Sequence, residues 1–133
     1  MMPRLYLDSC IIIYYVEQRP DYFAPVDARI NAGDSLVTVS DLCRLECLVH
    51  PMRAGDAAPL TAFERFFAAD DLWITPSTSS VFKLATELRA RHCLKTPDAL
   101  HLAAAIEAGC DEFWTNDHRL DAAASGHLRT VIL

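Results

Sequence analysis

The stretch Arg4-Leu5-Tyr6-Leu7-Asp8-Ser9 decides the fold, because it joins a short apolar run to a polar break. The run Arg4–Leu7 is typical of a buried strand. Asp8 and Ser9 end it, and residues 9–17 have the composition of an apolar helix. A strand that passes directly into a helix opens a β-α unit, so this stretch predicts a protein of the α/β class.

The same alternation continues to the end of the chain. Further strands are predicted at Leu36–Val39, Leu72–Thr75, Glu112–Thr115 and Arg129–Leu133. Helices are predicted over 21–32, 41–52, 59–69, 81–92, 96–108 and 117–124. Strands that alternate with helices favour right-handed crossovers and a mainly parallel sheet with helices on both faces.

Composition limits the possible functions. The chain has 133 residues, of which 52% are hydrophobic, so we expect one domain over 1–133 with a real core. The net charge of −6 argues against a protein that holds nucleic acid through bulk positive charge, but not against an enzyme that contacts it locally. No secretory signal or membrane span is recognised, and the five cysteines are odd in number. We therefore expect a cytoplasmic protein whose cysteines are free and mostly in the core.

Four acids stand at positions where chemistry is expected. Asp8 directly follows the first strand, and Asp117 lies two residues after the fourth. Parallel strands end at one edge of a sheet, which is where ligands bind. Asp98 lies in the first turn of a helix that is apolar nearly all round, and Glu46 lies at the margin of an apolar helix face. We expect these carboxylates to converge.

A cluster of four carboxylates repels itself, by roughly 4 kcal/mol for two charges about 4 Å apart at an effective dielectric near 20. Protonation, basic partners or a divalent cation would relieve this repulsion. Basic residues are sparse nearby, with Arg44 and Arg119 the nearest in sequence. The pattern therefore favours Mg²⁺ or Mn²⁺, which prefer oxygen ligands and assist phosphodiester cleavage.

The segments around these acids resemble PIN-domain ribonucleases, and within that family the VapC toxins of toxin–antitoxin pairs. The segments are Leu-Asp-Ser at 7–9, Leu-Glu-Cys-Leu at 45–48, Thr-Pro-Asp-Ala-Leu-His-Leu-Ala at 96–103, and Trp-Thr-Asn-Asp-His-Arg-Leu at 114–120. The resemblance implies a three-layer α/β/α sandwich with a five-stranded, mainly parallel sheet. It also implies a type II toxin that cleaves RNA with Mg²⁺ or Mn²⁺ and metal-activated water, a VapB-type antitoxin that covers the site, and a homodimer.

By the same resemblance, the catalytic and metal-binding residues are Asp8, Glu46, Asp98 and Asp117. The supporting residues are Ser9, Thr115 and Asn116, which shape the loop or bind metal-held water. Basic side chains that would hold RNA phosphates are Arg44, Arg89, Arg91, Lys95 and Arg119. For Arg89 and Arg91, the solvated face of a helix is an equally good interpretation.

Other residues have two interpretations. His101, one turn after Asp98, is either a packing histidine or a partner of a site carboxylate that shuttles protons. Cys43, Cys47 and His50 have zinc-like spacing, but no second ligand pair accompanies them, so core cysteines are the better account. The aromatic residues Phe63, Phe66, Phe67, Trp73 and Phe82 are expected in the core.

Two other functions compete with a nuclease. One is a regulatory or binding module with a PIN-like pocket but no catalysis, which divalent-ion titration with RNA would separate from an enzyme. The other is a phosphatase that forms an aspartyl-phosphate at Asp8. That class requires a second Asp two residues later, where this chain has Cys10. A nucleotide-binding protein is also disfavoured, because the four glycines form no phosphate loop.

Overall fold

The computed structural model describes residues 2–133, which form five strands and seven helices. The strands are β1 (Arg4–Leu7), β2 (Leu36–Ser40), β3 (Leu72–Thr75), β4 (Glu112–Thr115) and β5 (Arg129–Ile132). The helices are α1 (Ser9–Val16), α2 (Phe23–Ile30), α3 (Asp41–Ala54), α4 (Ala57–Phe67), α5 (Ser79–His92), α6 (Thr96–Glu107) and α7 (Leu120–Ala124). All five predicted strands are present, so the prediction of an α/β alternation is confirmed.

The sheet has the order β3-β2-β1-β4-β5, and every neighbouring pair is parallel. Helices α1 to α4 contact one another, and α5 contacts α6 and α7. Right-handed crossovers place these two groups on opposite faces of the sheet. The prediction of a three-layer sandwich with a parallel five-stranded sheet is therefore confirmed.

The order in which successive strands are added to the sheet reverses between β1 and β4. The connection after β1 leads to β2 on one side, whereas the connection after β4 leads to β5 on the other. Such a reversal opens a crevice beyond the carboxyl ends of the two central strands. Asp8 and Asp117 both follow these two strands, so the fold carries both acids to the crevice.

Two predicted helices are shorter in the structure. The helix predicted over 117–124 begins only at Leu120. The hydroxyl of Thr115 accepts a hydrogen bond from the Asp117 amide, and the Asp117 carboxylate accepts one from the Arg119 amide. These side-chain bonds hold the segment in a turn, as short polar side chains do when they compete with a helix. The helix predicted over 21–32 spans only Phe23–Ile30, with Asn31 as its C-cap.

The core lies along the central strands, where Leu5 and Phe113 are fully buried. Phe63 and Phe67 are also buried, but the expectation for Trp73 and Phe82 is wrong, because they are 59% and 53% exposed. Trp73 lies on β3, an edge strand with a neighbour on one side only. Phe82 directly follows the buried Val81 on α5, so the helix turns its ring outward.

The five cysteines are free thiols, as expected. Three of them are buried: Cys43, Cys47 and Cys110. Cys10 is partly buried and Cys93 is exposed, so the expectation of a core position fails for Cys93. Across residues 2–133, no helix combines the length and apolar character needed to cross a membrane.

Candidate active site

Asp8 is fixed between the two central strands. Its amide donates to the Trp114 carbonyl at 2.9 Å, which extends the pairing of β1 with β4 by one residue. Its Oδ1 accepts from the Ser9 amide and caps α1, and its Oδ2 accepts from the Thr115 hydroxyl, both at 2.8 Å. With 9% of its surface exposed, Asp8 is the most enclosed of the four predicted acids.

Glu46 reaches Asp8's neighbourhood from α3. Its Oε1 accepts from the Ser9 hydroxyl at 2.7 Å and lies 2.5 Å from Nε2 of His101. Burial raises the pKa of Glu46, but the hydrogen bonds of His101 and Ser9 outweigh it, and the net pKa is lowered. Glu46 is therefore held as a carboxylate with its position set by two other elements, α1 and α6.

Asp98 lies in the first turn of α6, and other carboxylates place negative charge near it. Its pKa is raised by burial first, and then by the carboxylates of Asp8 and Asp117. Weaker contributions from His101 and Arg119 oppose this rise without cancelling it. Asp98 therefore responds to the charges of both neighbouring acids, as expected of a shared pocket.

Asp117 has a basic partner of its own. Arg119 donates to both carboxylate oxygens, from Nε to Oδ1 at 2.9 Å and from NH2 to Oδ2 at 2.7 Å. The hydrogen bond with Arg119 is the largest of the causes that lower the pKa of Asp117 to about 2. The guanidinium side chain is 69% exposed, so this pair lies at the open rim of the crevice.

The four predicted acids thus come together at one edge of the sheet, although their roles stay a prediction. Two basic side chains pair with these acids. His101 pairs with Glu46, and Arg119 pairs with Asp117. Sequence separation hid the first pair, because His101 meets Glu46 only when α3 and α6 pack together.

Asp98 retains uncompensated charge, and the donors around it are carboxylate oxygens. That donor set fits Mg²⁺ or Mn²⁺. Over the described residues, the one group of metal-ligating side chains whose atoms lie within 4.8 Å of one another is Asp8, Glu46 and His101. His101 combines the two interpretations that the sequence leaves open, because it is 1% exposed and also contacts the site carboxylate of Glu46.

The supporting residues divide into two kinds. Ser9 and Thr115 each contact acids of the site, since Ser9 reaches Asp8 and Glu46, and Thr115 reaches Asp8 and the Asp117 amide. Asn116 instead donates its side-chain amide to the Tyr14 hydroxyl at 2.9 Å. Asn116 therefore ties the loop after β4 to α1 and touches no acid of the site.

The predicted RNA-binding side chains differ in their partners. Arg44 pairs with Asp41 at 3.3 Å, and Arg89 donates to the Leu94 carbonyl at 3.0 Å. Arg91 and Lys95 are exposed. Arg119 is the one that contacts a predicted catalytic acid. Contact with RNA stays a prediction for all five.

The zinc interpretation of α3 finds no support. Cys43 and Cys47 are buried, whereas His50 is exposed on the same helix. Cys43 lies beside the site instead, with its Sγ 3.4 Å from the Tyr6 hydroxyl and 3.7 Å from Nδ1 of His101. The account of Cys43 and Cys47 as core cysteines therefore holds.

The family model of the PIN domain matches residues 5–126. VapBC2 from Rickettsia felis, solved with a DNA fragment from its promoter, is similar at a TM-score of 0.77 with 16% identity, covering 97% of this chain and 98% of that one. No relative is found among curated protein sequences.

Two other solved structures have the same fold. A toxin–antitoxin complex from Klebsiella pneumoniae matches at a TM-score of 0.70 with 19% identity, covering 96% of this chain and 95% of that one. DNA-bound VapBC from Salmonella typhimurium matches at 0.73 with 14% identity, covering 98% of both chains. At these identities the likeness establishes the fold alone.

Proposed function

The chain belongs to the PIN-domain family, whose model matches residues 5–126, and on that premise we propose that it is a Mg²⁺- or Mn²⁺-dependent endoribonuclease. In this proposal it is the toxin of a type II toxin–antitoxin pair. The observation that carries the proposal is the meeting of four carboxylates at the crevice between β1 and β4, with the pKa of Asp98 raised by burial and by its acidic neighbours.

The four acids take two roles in the proposed reaction. Asp8, Asp98 and Asp117 would hold the ion, and Glu46 would bind it through water or orient the attacking water as a base. When bound, a divalent ion lowers the pKa of water and stabilises charge on the phosphate and the leaving oxygen. Cleavage should leave a 5′-phosphate and a 3′-hydroxyl, because water and not the ribose 2′-hydroxyl attacks the phosphorus.

The chain's own hydrogen bonds prepare this arrangement. Ser9 and Thr115 hold the two oxygens of Asp8 in one orientation, which preserves their geometry between turnovers. The side chain of Arg119 donates two hydrogen bonds to Asp117 and balances its charge. An arriving RNA phosphate offers this exposed guanidinium a second anion, consistent with its predicted role in RNA binding.

A protein partner is supported by an exposed apolar stripe on α3. Leu45, Val49 and Met52 lie four and three residues apart, on one side of the helix, and are 63%, 43% and 63% exposed. Exposed apolar patches of this kind mark interaction surfaces. A VapB-type antitoxin on this stripe would lie beside Glu46 and cover the site. The structurally similar protein from Klebsiella pneumoniae is itself part of a toxin–antitoxin complex. A homodimer is proposed on the resemblance to VapC toxins.

The test is cleavage of a panel of single-stranded and structured RNAs by the purified chain with Mg²⁺ or Mn²⁺. Asp8→Asn keeps an acceptor for the N-cap of α1 but removes the charge, so it should fold and lose cleavage. Asp56→Asn is the matched control, because Asp56 is the N-cap of α4 and lies outside the acidic cluster.

Cleavage by Asp8→Asn at the parent's rate would refute the assignment. A chain that binds RNA but gives no products at any metal concentration would instead be a binding module. For the toxin role, induced expression should arrest growth, and Asp8→Asn should relieve the arrest. A neighbouring reading frame for a short DNA-binding protein would identify the antitoxin.

A further inference from the structure

His101 is a buried polar side chain that the four acids do not explain. It lies on α6 with 1% of its surface exposed. Its Nε2 is 2.5 Å from Oε1 of Glu46, 3.5 Å from the Ser9 hydroxyl and 3.6 Å from Oδ1 of Asp8. A side chain so enclosed cannot contact RNA directly, so its role has to act through these neighbours.

The geometry favours a hydrogen bond to Glu46 over direct metal ligation. Two neighbouring ligand atoms of an octahedral ion with bonds of about 2.1 Å lie about 3 Å apart. Nε2 of His101 and Oε1 of Glu46 are closer than that, at 2.5 Å, so a proton lies between them. Since a carboxylate is an acceptor, the imidazole Nε2–H is the donor.

The other ring nitrogen fixes the orientation of the imidazole. Nδ1 lies 2.8 Å from the Tyr6 hydroxyl, which in turn lies 2.8 Å from the Ser40 hydroxyl. Tyr6 is fully buried in β1, and its ring stacks on Phe113 with centroids 5.4 Å apart. Tyr6 can accept from Nδ1 or donate to it, so Nε2–H points at Glu46 whether the ring is neutral or charged.

Glu46 needs such a restraint more than the other acids do. Its side chain is long, comes from a separate helix and is 32% exposed. Ser9 and His101 both hold Oε1, and none of the described residues donates a hydrogen bond to Oε2. The result is a carboxylate that is anchored by one oxygen and presents the other.

We propose that His101, oriented by Tyr6, is a positioning residue that holds Oε1 of Glu46 so that Oε2 faces the ion or its water. This inference rests on the proposed function, because it assigns Glu46 to the metal site. Removal of a hydrogen-bond partner that orients a metal ligand typically lowers metal affinity or activity by about 10–100-fold.

Two amide substitutions separate positioning from packing. In His101→Gln the side-chain amide reaches the place of Nε2 and can still donate to Glu46. In His101→Asn the shorter amide lies near the place of Nδ1, so it can meet Tyr6 but not Glu46. We expect His101→Asn to weaken Mn²⁺ binding and kcat by about 10–100-fold, and His101→Gln by less than about fivefold. KM for RNA should stay unchanged in both variants.

Mn²⁺ binding is measured by electron paramagnetic resonance on the full chain without RNA, and thermal unfolding is recorded for each variant. Equal losses in the two variants, in proportion to their lower thermal stability, would overturn the proposal. If His101→Asn does not fold, Tyr6→Phe tests the proposal instead, because it removes only the hydroxyl that orients Nδ1. A Tyr6→Phe protein with unchanged Mn²⁺ affinity and kcat would also overturn it.

The double variant Glu46→Gln/His101→Asn provides a further check. If His101 acts through Glu46, the double variant should bind Mn²⁺ no more weakly than Glu46→Gln alone, and additive losses would contradict the proposal. Failure of the proposed function is distinguishable, because the wild type would then bind Mn²⁺ and show the expected ranking of variants but cut no RNA.

Discussion

The two ends of the candidate site hold their carboxylates in different ways. In the buried half, Glu46 pairs with His101, whose side chain is 2% exposed and tied into a network with Ser9 and Tyr6. In the exposed half, Asp117 pairs with Arg119, whose side chain is 69% exposed. Separating the first pair would leave the buried imidazole of His101 without its partner, whereas an exposed pair exchanges readily with solvent and ligands. The position of Glu46 in the buried half is therefore fixed, whereas Asp117 and Arg119 in the exposed half can change partners.

The carboxylate of Asp98 interacts with Asp8 and with Asp117, and its removal should have the largest effect on RNA cleavage. Asp98→Asn should lower RNA cleavage by more than about 100-fold, because a ligand is lost and not only its support. Without metal, the free energy of unfolding of this variant should be about 0.5–2 kcal/mol higher than that of the wild type, because the substitution removes repulsion with Asp8 and Asp117.

The pH dependence follows from the raised pKa of Asp98. The folded wild type binds this proton more tightly than the unfolded chain does. The protonated carboxyl of Asp98 thus contributes its full stability below the ordinary pKa of 3.8, and this contribution is lost as the pH rises through the raised pKa of the folded protein. The advantage of Asp98→Asn should therefore be present at pH 7 and vanish near pH 3.5, by urea unfolding. A variant less stable than wild type at pH 7 would contradict the repulsion.

The contrast between the halves is tested most directly by truncating one acid in each. Glu46→Ala leaves the buried Nε2–H of His101 without its acceptor, which should lower the free energy of unfolding by about 1–3 kcal/mol. Asp117→Ala frees an exposed guanidinium, which water solvates, and relieves repulsion at Asp98, so it should change stability little. Both are measured by urea unfolding without metal, and equal losses would show that the two halves are held alike.

The sequence predicts the acids better than it predicts their partners. Asp8 and Asp117 were found because each follows a strand, and parallel neighbours carry strand ends to one edge. Glu46 and Asp98 required their motifs as well, because a single acid on a helix is equally typical of a cap or a solvated face. The sequence leaves open whether His101 packs or contacts a site carboxylate, and it does not single out Glu46, since that contact depends on how α3 and α6 approach each other.

Exposed aromatic residues escaped prediction for a related reason. The hydrophobicity of Trp73 and Phe82 is the same in the core and at the surface, and burial depends on what covers each position. Trp73 lies on an edge strand, and Phe82 lies on the outer side of α5. An exposed tryptophan thus reverses the usual preference of its residue type.

The smallest expected effect comes from the exposed half. Arg119→Ala removes the competitor for Asp117 and should strengthen Mn²⁺ binding by less than about fivefold, because exposed ion pairs are weak. The gain should shrink as salt is raised to about 1 M, where the Debye length falls to about 3 Å. The same variant should raise KM for RNA if the guanidinium turns to phosphate when the ion arrives. Arg65→Ala is the matched control, because Arg65 is exposed on α4 and is not among the predicted RNA-binding residues. If Arg119→Ala instead weakened Mn²⁺ binding, Arg119 would be holding Asp117 in place as His101 is proposed to hold Glu46, and the two halves would work in the same way.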